Sequence, residues 1–304
     1  MIAFLTRRLV WVVLTLWIVF TISFVLMRSV PGTPWQDERN LPPEVEAELR
    51  EQYRLEISFE NYWSVLGDCL SGDLGPSYRL LDFRVAEIIA QGLPKSALLG
   101  VVALAFAVLI GVTAGAVAAA RRGHFLDTLL MSGANLGISL PNFVIAGVLV
   151  VIVCFRWQLL PPAGWGGLRE LLLPAFCLGA PFAASIARLT RTGVLEVLSQ
   201  DYIRTAHAKG VHPRVVVSRH ALRLALLPVV SFLGPATAGI LTGSLVIERI
   251  FAIPGIGSHF VQAALSRDYT LSMGVVLLYT LLVSLMNLFV DISYRVLDPR
   301  VRAW

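Results

Sequence analysis

The 24 residues from Ala97 to Ala120, ALLGVVALAFAVLIGVTAGAVAAA, contain no charged side chain and end at the pair Arg121 and Arg122. An α-helix rises about 1.5 Å per residue, so about 20 apolar residues cross the hydrocarbon core of a bilayer. This stretch therefore predicts a helix that spans a membrane.

Five other apolar runs predict further spans. The first follows Arg7 and Arg8, but it is longer than the apolar core of a signal peptide and no cleavage site of small residues follows it, so we expect a retained helix. The third span contains Pro141 and Asn142, which predict a kink or a polar wall. The five runs are Leu9 to Met27, Leu129 to Phe155, Leu171 to Ala187, Leu224 to Ile247 and Met273 to Val290.

The composition agrees with lipid as the main solvent. Hydrophobic residues make up 56% of the 304 residues and charged residues only 15%, against about 25% charged in a soluble domain. The net charge of +5 is spread over short segments between apolar runs, so nucleic acid is not an expected partner. We predict an all-α integral membrane protein with about six transmembrane helices.

The charges between the spans predict the orientation. Segments on the side of the two termini carry 14 Lys and Arg and five acids, whereas the opposite side carries 11 and 15. Positive residues in short loops favour the cytoplasm. We therefore expect both termini in the cytoplasm, and an insert between spans one and two outside it.

The chain is expected to divide into three parts. Residues 1–28 form the first transmembrane helix, 29–95 the extracytoplasmic insert, and 96–304 the core of spans two to six. Within the insert, helices are predicted over Glu44 to Tyr53, Phe59 to Leu70 and Val85 to Gln91. The insert is either a simple cap or a docking surface for an external partner, and the pattern leaves both open.

The cytoplasmic loop between spans four and five, about 196–228, contains a predicted helix over residues 200–209. Ser199 is the expected N-cap, and Gly210 suits the left-handed position after the helix. Tyr202, Ala206 and Lys209 are assigned to one face. Such a helix either seats in a groove on another protein or rests on lipid headgroups.

The segment DYIRTAHAKG at 201–210, followed by RHALR at 219–223 and LLP at 226–228, resembles the EAA loop of ABC importer permeases. More closely, it is similar to the variant found in the oligopeptide, dipeptide and nickel permeases. Arg204 and Thr205 stand where the general pattern has Glu and Ala, and this departure is typical of that branch.

Other short motifs extend the resemblance over nearly the whole chain, in the order expected for the first, or B-type, permease subunit. They are GDLGPSY at 72–78, SLPNF at 139–143, ERIF at 248–251, PGIG at 254–257, RDY at 267–269 and DPR at 298–300.

The resemblance implies the partners and the coupling site. A second homologous permease, two cytoplasmic ATPases that bind ATP and Mg, and an extracytoplasmic solute-binding protein are expected, with membrane lipid around the chain and no cofactor in it. Ala206 and Gly210 are expected to permit close seating on an ATPase, and Tyr202 and Lys209 to make specific contacts. The expected coupling residues are Asp201, Tyr202, Ile203, Arg204, Thr205, Ala206, His207, Lys209 and Gly210.

No catalytic motif competes with this interpretation. The sequence contains no GxxxxGK[ST], GxSxG or HExxH, so we expect no enzyme activity; the five His are scattered, so we expect no metal site. An ion-coupled secondary transporter usually places ionisable residues within its spans, and the span centres hold none. The polar residues there either line a pore or bond helices together. They include Asn135, Asn142, Thr237, Thr242, Ser244 and Asn287.

We therefore expect a permease subunit in the prokaryotic plasma (inner) membrane, forming half of a pathway for di- or oligopeptides. Nickel or other metal chelates, and glutathione, remain alternatives within the same family, because the binding protein sets much of the choice. A homodimer and a heterodimer of permeases both remain open.

Overall fold

This computed structural model describes residues 2–29, 53–80, 82–212 and 221–297, and the single residues 42, 44, 48, 51, 215 and 216. Within these ranges the chain forms helices joined by short connections, and the strand-like pairing is limited to one isolated antiparallel bridge between Pro76 and Arg84. The fold is therefore all-α, as predicted. The helix predicted over Glu44 to Tyr53 lies largely outside the described residues.

The helices are numbered here along the chain. α5 continues directly into a π-helical stretch, Val150–Arg156. The bounds are α1 Ile2–Ser29, α2 Phe59–Leu70, α3 Val85–Ala120, α4 Phe125–Ser139, α5 Asn142–Leu149, α6 Leu168–Leu198, α7 Asp201–Ala208, α8 Leu222–Ala225, α9 Leu227–Ile250, α10 Ile256–Leu265 and α11 Tyr269–Leu297.

Five of the described helical segments are long and apolar enough to cross a bilayer, and a bent pair of helices makes up to six. The prediction of about six spans is confirmed. The five segments are Phe4–Ser29, Val85–Ala120, Leu168–Leu198, Leu222–Leu241 and Tyr269–Phe289.

The bent pair is the predicted third span. α4 and the helix over Asn142–Arg156 meet at 111°, a much larger change of direction than the kink expected within a single span. Leu140, directly before Pro141, has φ −90° and ψ 132°. A residue before proline is disfavoured in the α-helical region, so the helix ends there and a new one begins.

α2 is the described helix of the insert, and its start is fixed locally. Ser58 has extended backbone angles, and its side chain accepts a hydrogen bond from the backbone N–H of Asn61 at 3.1 Å. Glu60 in the first turn complements the helix dipole. The prediction of a helix over Phe59 to Leu70 is confirmed. The short helix predicted over Val85 to Gln91 is the beginning of α3, which runs on through Pro94.

Two compact units make up the chain. One contains residues 1–96 and 254–285, and the other contains residues 97–253 and 286–304. In the first unit, Phe20 and Phe24 of α1 pack edge-on against the ring of Tyr62 in α2, with ring centroids 5.5 and 5.3 Å apart. These aromatic contacts fix the insert helix against the first span within this unit.

In the second unit, α3 and α6 approach closely where α3 has glycine. A Cβ atom on Gly111 would lie 2.7 Å from the carbonyl oxygen of Ala183, and one on Gly115 would overlap the carbonyl oxygen of Ala187. The absence of side chains at this GxxxG spacing therefore lets the two helix backbones approach closely. The close contact aligns α6, which continues to the candidate site described next.

Candidate functional site

α7, the helix predicted to couple the chain to a partner, follows α6 after only two residues. Ser199 ends α6 instead of beginning α7: its backbone is helical, and its hydroxyl donates to the carbonyl oxygen of Glu196 at 2.7 Å. The N-cap role predicted for Ser199 is therefore wrong. The carbonyl oxygen of Gln200 instead accepts from the backbone N–H of Ile203 at 3.1 Å. Such a short connection limits independent movement of α7 relative to the end of α6.

The C-terminal end of α7 is a Schellman motif. Gly210 has φ +77°, and the backbone N–H of Val211 donates to the carbonyl oxygen of Ala206 at 3.2 Å. This is the 6→1 hydrogen bond of the motif, and it requires a left-handed residue that glycine adopts without steric cost. The predicted helix end at Gly210 is confirmed.

One side of α7 is buried against the chain itself. Ile203 is 1% exposed and Ala206 is 9% exposed, and both form a cluster with Val216. Val197 and Leu198 from the end of α6 pack against this cluster. The apolar contacts therefore join α7 to α6 in addition to the covalent connection.

The burial of Ala206 corrects one predicted role. Ala206 was expected to share a partner-facing side with Tyr202 and Lys209, but its side chain points into the chain's own cluster. Tyr202, at 43% exposed, and Lys209 lie on the accessible side. Ala206 lies three residues after Ile203, so it falls on the same side of the helix as the buried Ile203 side chain. The side chain of His207 lies outside what the structure describes.

The accessible side of α7 is polar and carries charges of both signs. Asp201 and Arg204 lie 3.5 Å apart, both exposed, and the hydroxyl of Thr205 donates to the carbonyl oxygen of Asp201 at 3.1 Å. An exposed pair of this kind adds about 0–1 kcal/mol to stability. The charges of this side are therefore largely available to another surface.

A partly buried ion pair lies on α6, the helix that leads into this site, and was not anticipated from the sequence. Arg191 of α6 donates from Nε and a terminal nitrogen to the two carboxylate oxygens of Asp127, at 2.7 and 2.9 Å. The backbone N–H of Gly123 donates to the same carboxylate at 3.0 Å. Asp127 is buried in the first turn of α4. Such a two-pronged pair fixes orientation as well as distance, so it ties α4 to α6 seven residues before α6 ends at Leu198.

The end of α6 also contacts the segment that leads into α9. A Cβ atom on Gly193 would lie 2.7 Å from the carbonyl oxygen of Ala225, and Val194 is buried with Ala221 and Ala225. Arg219 and His220 of the RHALR motif lie outside the described residues, and so does the DPR motif at 298–300 near the C-terminal end of the sequence. The end of α6 thus contacts α4, α7 and the residues before α9.

In the other unit, two motifs that are far apart in sequence form one anchor. The hydroxyl of Ser77 and the backbone N–H of Tyr78 donate to one carboxylate oxygen of Asp268. The other oxygen accepts from the backbone N–H of Leu271 at 3.1 Å, in the first turn of α11. Asp268 is buried. The segment GDLGPSY is therefore fixed to the start of α11, which sequence separation alone did not reveal.

The candidate pore-lining residues do not share one environment. Asn135 and Asn287 are exposed, and Asn142 and Thr237 are half-buried. Ser244 is buried, and its hydroxyl donates to the carbonyl oxygen of Leu241 at 3.0 Å. Because the Ser244 side chain reaches no surface and bonds within its own helix, Ser244 is not kept among the candidate pore-lining residues. The side chain of Thr242 lies outside the described residues.

These features define the class of protein: an all-α chain with five to six apolar spans and a helix attached to the end of a span. The chain matches the family described as binding-protein-dependent transport system inner membrane component, over residues 111–303. The chain belongs to this family. It is a multi-pass permease subunit of the inner membrane.

Curated relatives extend the match to the full length. The chain is 44% identical over 305 residues to the oligopeptide transport system permease protein OppB of Salmonella typhimurium, covering 99% of this chain and 100% of the relative. It is 42% identical over 290 residues to the dipeptide transport system permease protein DppB of Bacillus subtilis, covering 95% and 94%. A DppB of Lactococcus lactis is 35% identical over 303 residues, covering 99% and 100%.

Proposed function

We propose that this chain forms half of the translocation pathway of an ATP-driven importer of di- or oligopeptides. The observation that carries this proposal is the 44% identity to an oligopeptide permease over essentially the whole of both chains. A second homologous permease supplies the other half. A solute-binding protein delivers the peptide from outside, and two cytoplasmic ATPases bind ATP and Mg.

The accessible side of α7 is the ATPase contact in this proposal. Tyr202, Thr205 and Lys209 lie on that side, with the charges of Asp201 and Arg204 beside them. Helices that rest on lipid headgroups typically carry mainly Lys and Arg on their polar face, whereas this side carries Asp201 beside Arg204, which favours a protein groove as the partner. Gly210 contributes to the contact by ending α7 in a tight turn. Ala206 and Ile203 lie on the buried side and hold the helix against its own chain.

Movement of the ATPases is then passed to the spans through α6. The cluster of Ile203, Ala206 and Val216 transmits force from α7 to the end of α6. The ion pair between Arg191 and Asp127 transmits it onward to α4. Since α4 begins the bent pair of helices, this route connects the coupling helix to a break in the membrane-spanning structure.

The insert between the first two spans is assigned to the extracytoplasmic side, and both termini to the cytoplasm. The anchor at Asp268 holds residues 72–79 in a fixed shape beside the start of α11. A fixed surface suits repeated docking of a binding protein, because less ordering is required at each encounter. Asn135 and Asn287 stay candidates for the pore wall.

Uptake by the reconstituted transporter tests this function. The chain, its partner permease, both ATPases and the binding protein are placed in liposomes, and entrapped ATP drives uptake of a radiolabelled tripeptide. We expect uptake that requires ATP and the binding protein. Uptake of a nickel chelate or of glutathione, without uptake of the radiolabelled tripeptide, would overturn the peptide assignment. Solute flux by this chain alone, without ATP, would overturn the assignment as an ATP-driven importer.

A further inference from the structure

The unit that contains the insert has an apolar cleft of about 560 Å³. Val13, Trp17 and Phe20 of α1 line one wall, and Leu277 and Leu281 of α11 line another. Among the residues that the structure describes, no charged side chain lines this cleft. Its walls on α1 and α11 belong to membrane-spanning helices, so the cleft lies at the depth of acyl chains.

A second cavity, of about 300 Å³, adjoins the first. Both are lined in part by Cys69 and Leu74. The second cavity differs in chemistry, because Arg28, Tyr53 and Tyr78 contribute to its wall. An apolar space and a polar one therefore share part of one wall within a single unit of the chain.

Arg28 is the charged residue of the polar cavity whose guanidinium is available to bind a ligand. Arg54, which also lines it, is paired with Asp68 at 2.7 Å, and Asp73 is paired with Arg84 at 2.9 Å. The guanidinium of Arg28 lies 3.8 Å from the ring centre of Phe24, and its Nε donates to the carbonyl oxygen of Arg54 at 3.1 Å. Among the described residues, no oxygen accepts a hydrogen bond from its two terminal nitrogens.

The spacing along α1 matches one lipid molecule. From Phe20 to Arg28 the helix rises about 12 Å, and from Val13 to Arg28 about 22 Å. One leaflet with its headgroup contributes about half of the roughly 40–45 Å of a bilayer that includes the headgroup regions, or about 20–22 Å. An acyl chain beside Val13 to Phe20 therefore places its headgroup at the level of Arg28, next to the end of α1 at Ser29.

We propose that the two cavities hold one anionic phospholipid. Its acyl chains fill the apolar cleft, and its phosphodiester accepts hydrogen bonds from the terminal nitrogens of Arg28. Charge complementarity selects this occupant, since an apolar helix in the cleft would leave the guanidinium without an anionic partner. A neutral phospholipid would carry its own ammonium group toward Arg28 and so bind more weakly. The lipid would hold α1 against α11 without joining the transport path.

Native mass spectrometry of the full chain tests the headgroup contact. The protein is equilibrated in vesicles of phosphatidylcholine with one-tenth phosphatidylglycerol, extracted in mild detergent, and weighed with its bound lipid. We expect one phosphatidylglycerol to be retained. Replacing Arg28→Gln removes charge-assisted hydrogen bonds and lowers that retention roughly tenfold or more. Arg28→Lys keeps the charge and restores part of it. Arg156→Gln, which alters an exposed arginine that lines neither cavity, leaves it unchanged.

A second matched pair tests the cleft and covers the case in which Arg28→Gln does not fold. Val13 lines the cleft and is 65% exposed, whereas Val10 is 64% exposed on the same helix and does not line it. Val13→Trp fills the cleft and is expected to reduce retention of lipid several-fold, and Val10→Trp to have no effect. The proposal is overturned if the wild type retains phosphatidylcholine and phosphatidylglycerol equally, or if Val13→Trp and Val10→Trp have equal effects on lipid retention. A stoichiometric cross-link from Leu16→Cys to a second polypeptide also overturns it.

Discussion

Ile203→Ala tests whether α7 is held in place by its own chain. Ile203 is 1% exposed beneath the helix and contacts Ala206 and Val216 in one cluster. The substitution removes three carbon atoms, each worth about 0.8 kcal/mol of burial, and leaves a cavity. The expected cost to docking of the helix is therefore about 2–4 kcal/mol.

The consequence is opening of α7 without loss of the membrane-spanning structure. Helices of fewer than about 12 residues are marginal in water on their own, and α7 runs only over Asp201–Ala208. A cost of about 2–4 kcal/mol raises the opening equilibrium roughly 30- to 700-fold. Backbone amides in residues 203–209 should then exchange with deuterium faster by that factor.

Hydrogen exchange read by mass spectrometry measures this change directly. Tyr202→Ala is the matched control, because Tyr202 lies on the same helix at 43% exposed and contributes little to the buried cluster. Exchange in the control should stay within about threefold of the wild type. If Ile203→Ala changes exchange no more than Tyr202→Ala does, the apolar cluster does not hold α7.

Three further outcomes are expected. Asp127→Asn and Arg191→Gln should each lower peptide uptake per ATP hydrolysed, and the double variant should be little worse than either, since both remove the same pair. Burial, followed by the nearby charges of Asp68 and Asp73, raises the pKa of the Cys69 thiol from 9.0 to about 11. Because the thiolate is the form that reacts with maleimide, labelling of Cys69 at pH 8 should be about a hundredfold slower than in the SDS-unfolded chain. The labelling rate should rise as the pH approaches 11. Gly115→Leu should separate α3 from α6 and lower the yield of monodisperse protein in detergent, whereas Gly133→Leu, facing open space, should not.

The predictions that the structure confirms depend on the chemistry of neighbouring residues in the sequence. Uncharged apolar runs gave the spans, because a bilayer sets helix length. Gly210 marked the end of α7, because a left-handed residue after a helix favours glycine.

The errors arose where the outcome depends on residues distant in the chain. Pro141 and Asn142 predicted a kink or a polar wall in the third span, whereas the two helices meet at 111°. Ala206 fits either side of a short helix, and only the positions of Ile203 and Val216 decide which side is buried. Asp127 and Arg191 are 64 residues apart, so their charges predicted orientation without predicting their pairing.

Cysteine cross-linking at adjacent positions of α7 tests the coupling site most directly. Thr205→Cys places a thiol on the accessible side, and Ala206→Cys places a thiol of similar size on the buried side. In the assembled transporter, labelled with a maleimide–benzophenone reagent and then illuminated, we expect Thr205→Cys to cross-link to an ATPase subunit and Ala206→Cys not to. Cross-linking from Ala206→Cys alone, or from neither position in a transporter that still hydrolyses ATP and takes up peptide, would contradict the assignment of α7 as the ATPase contact.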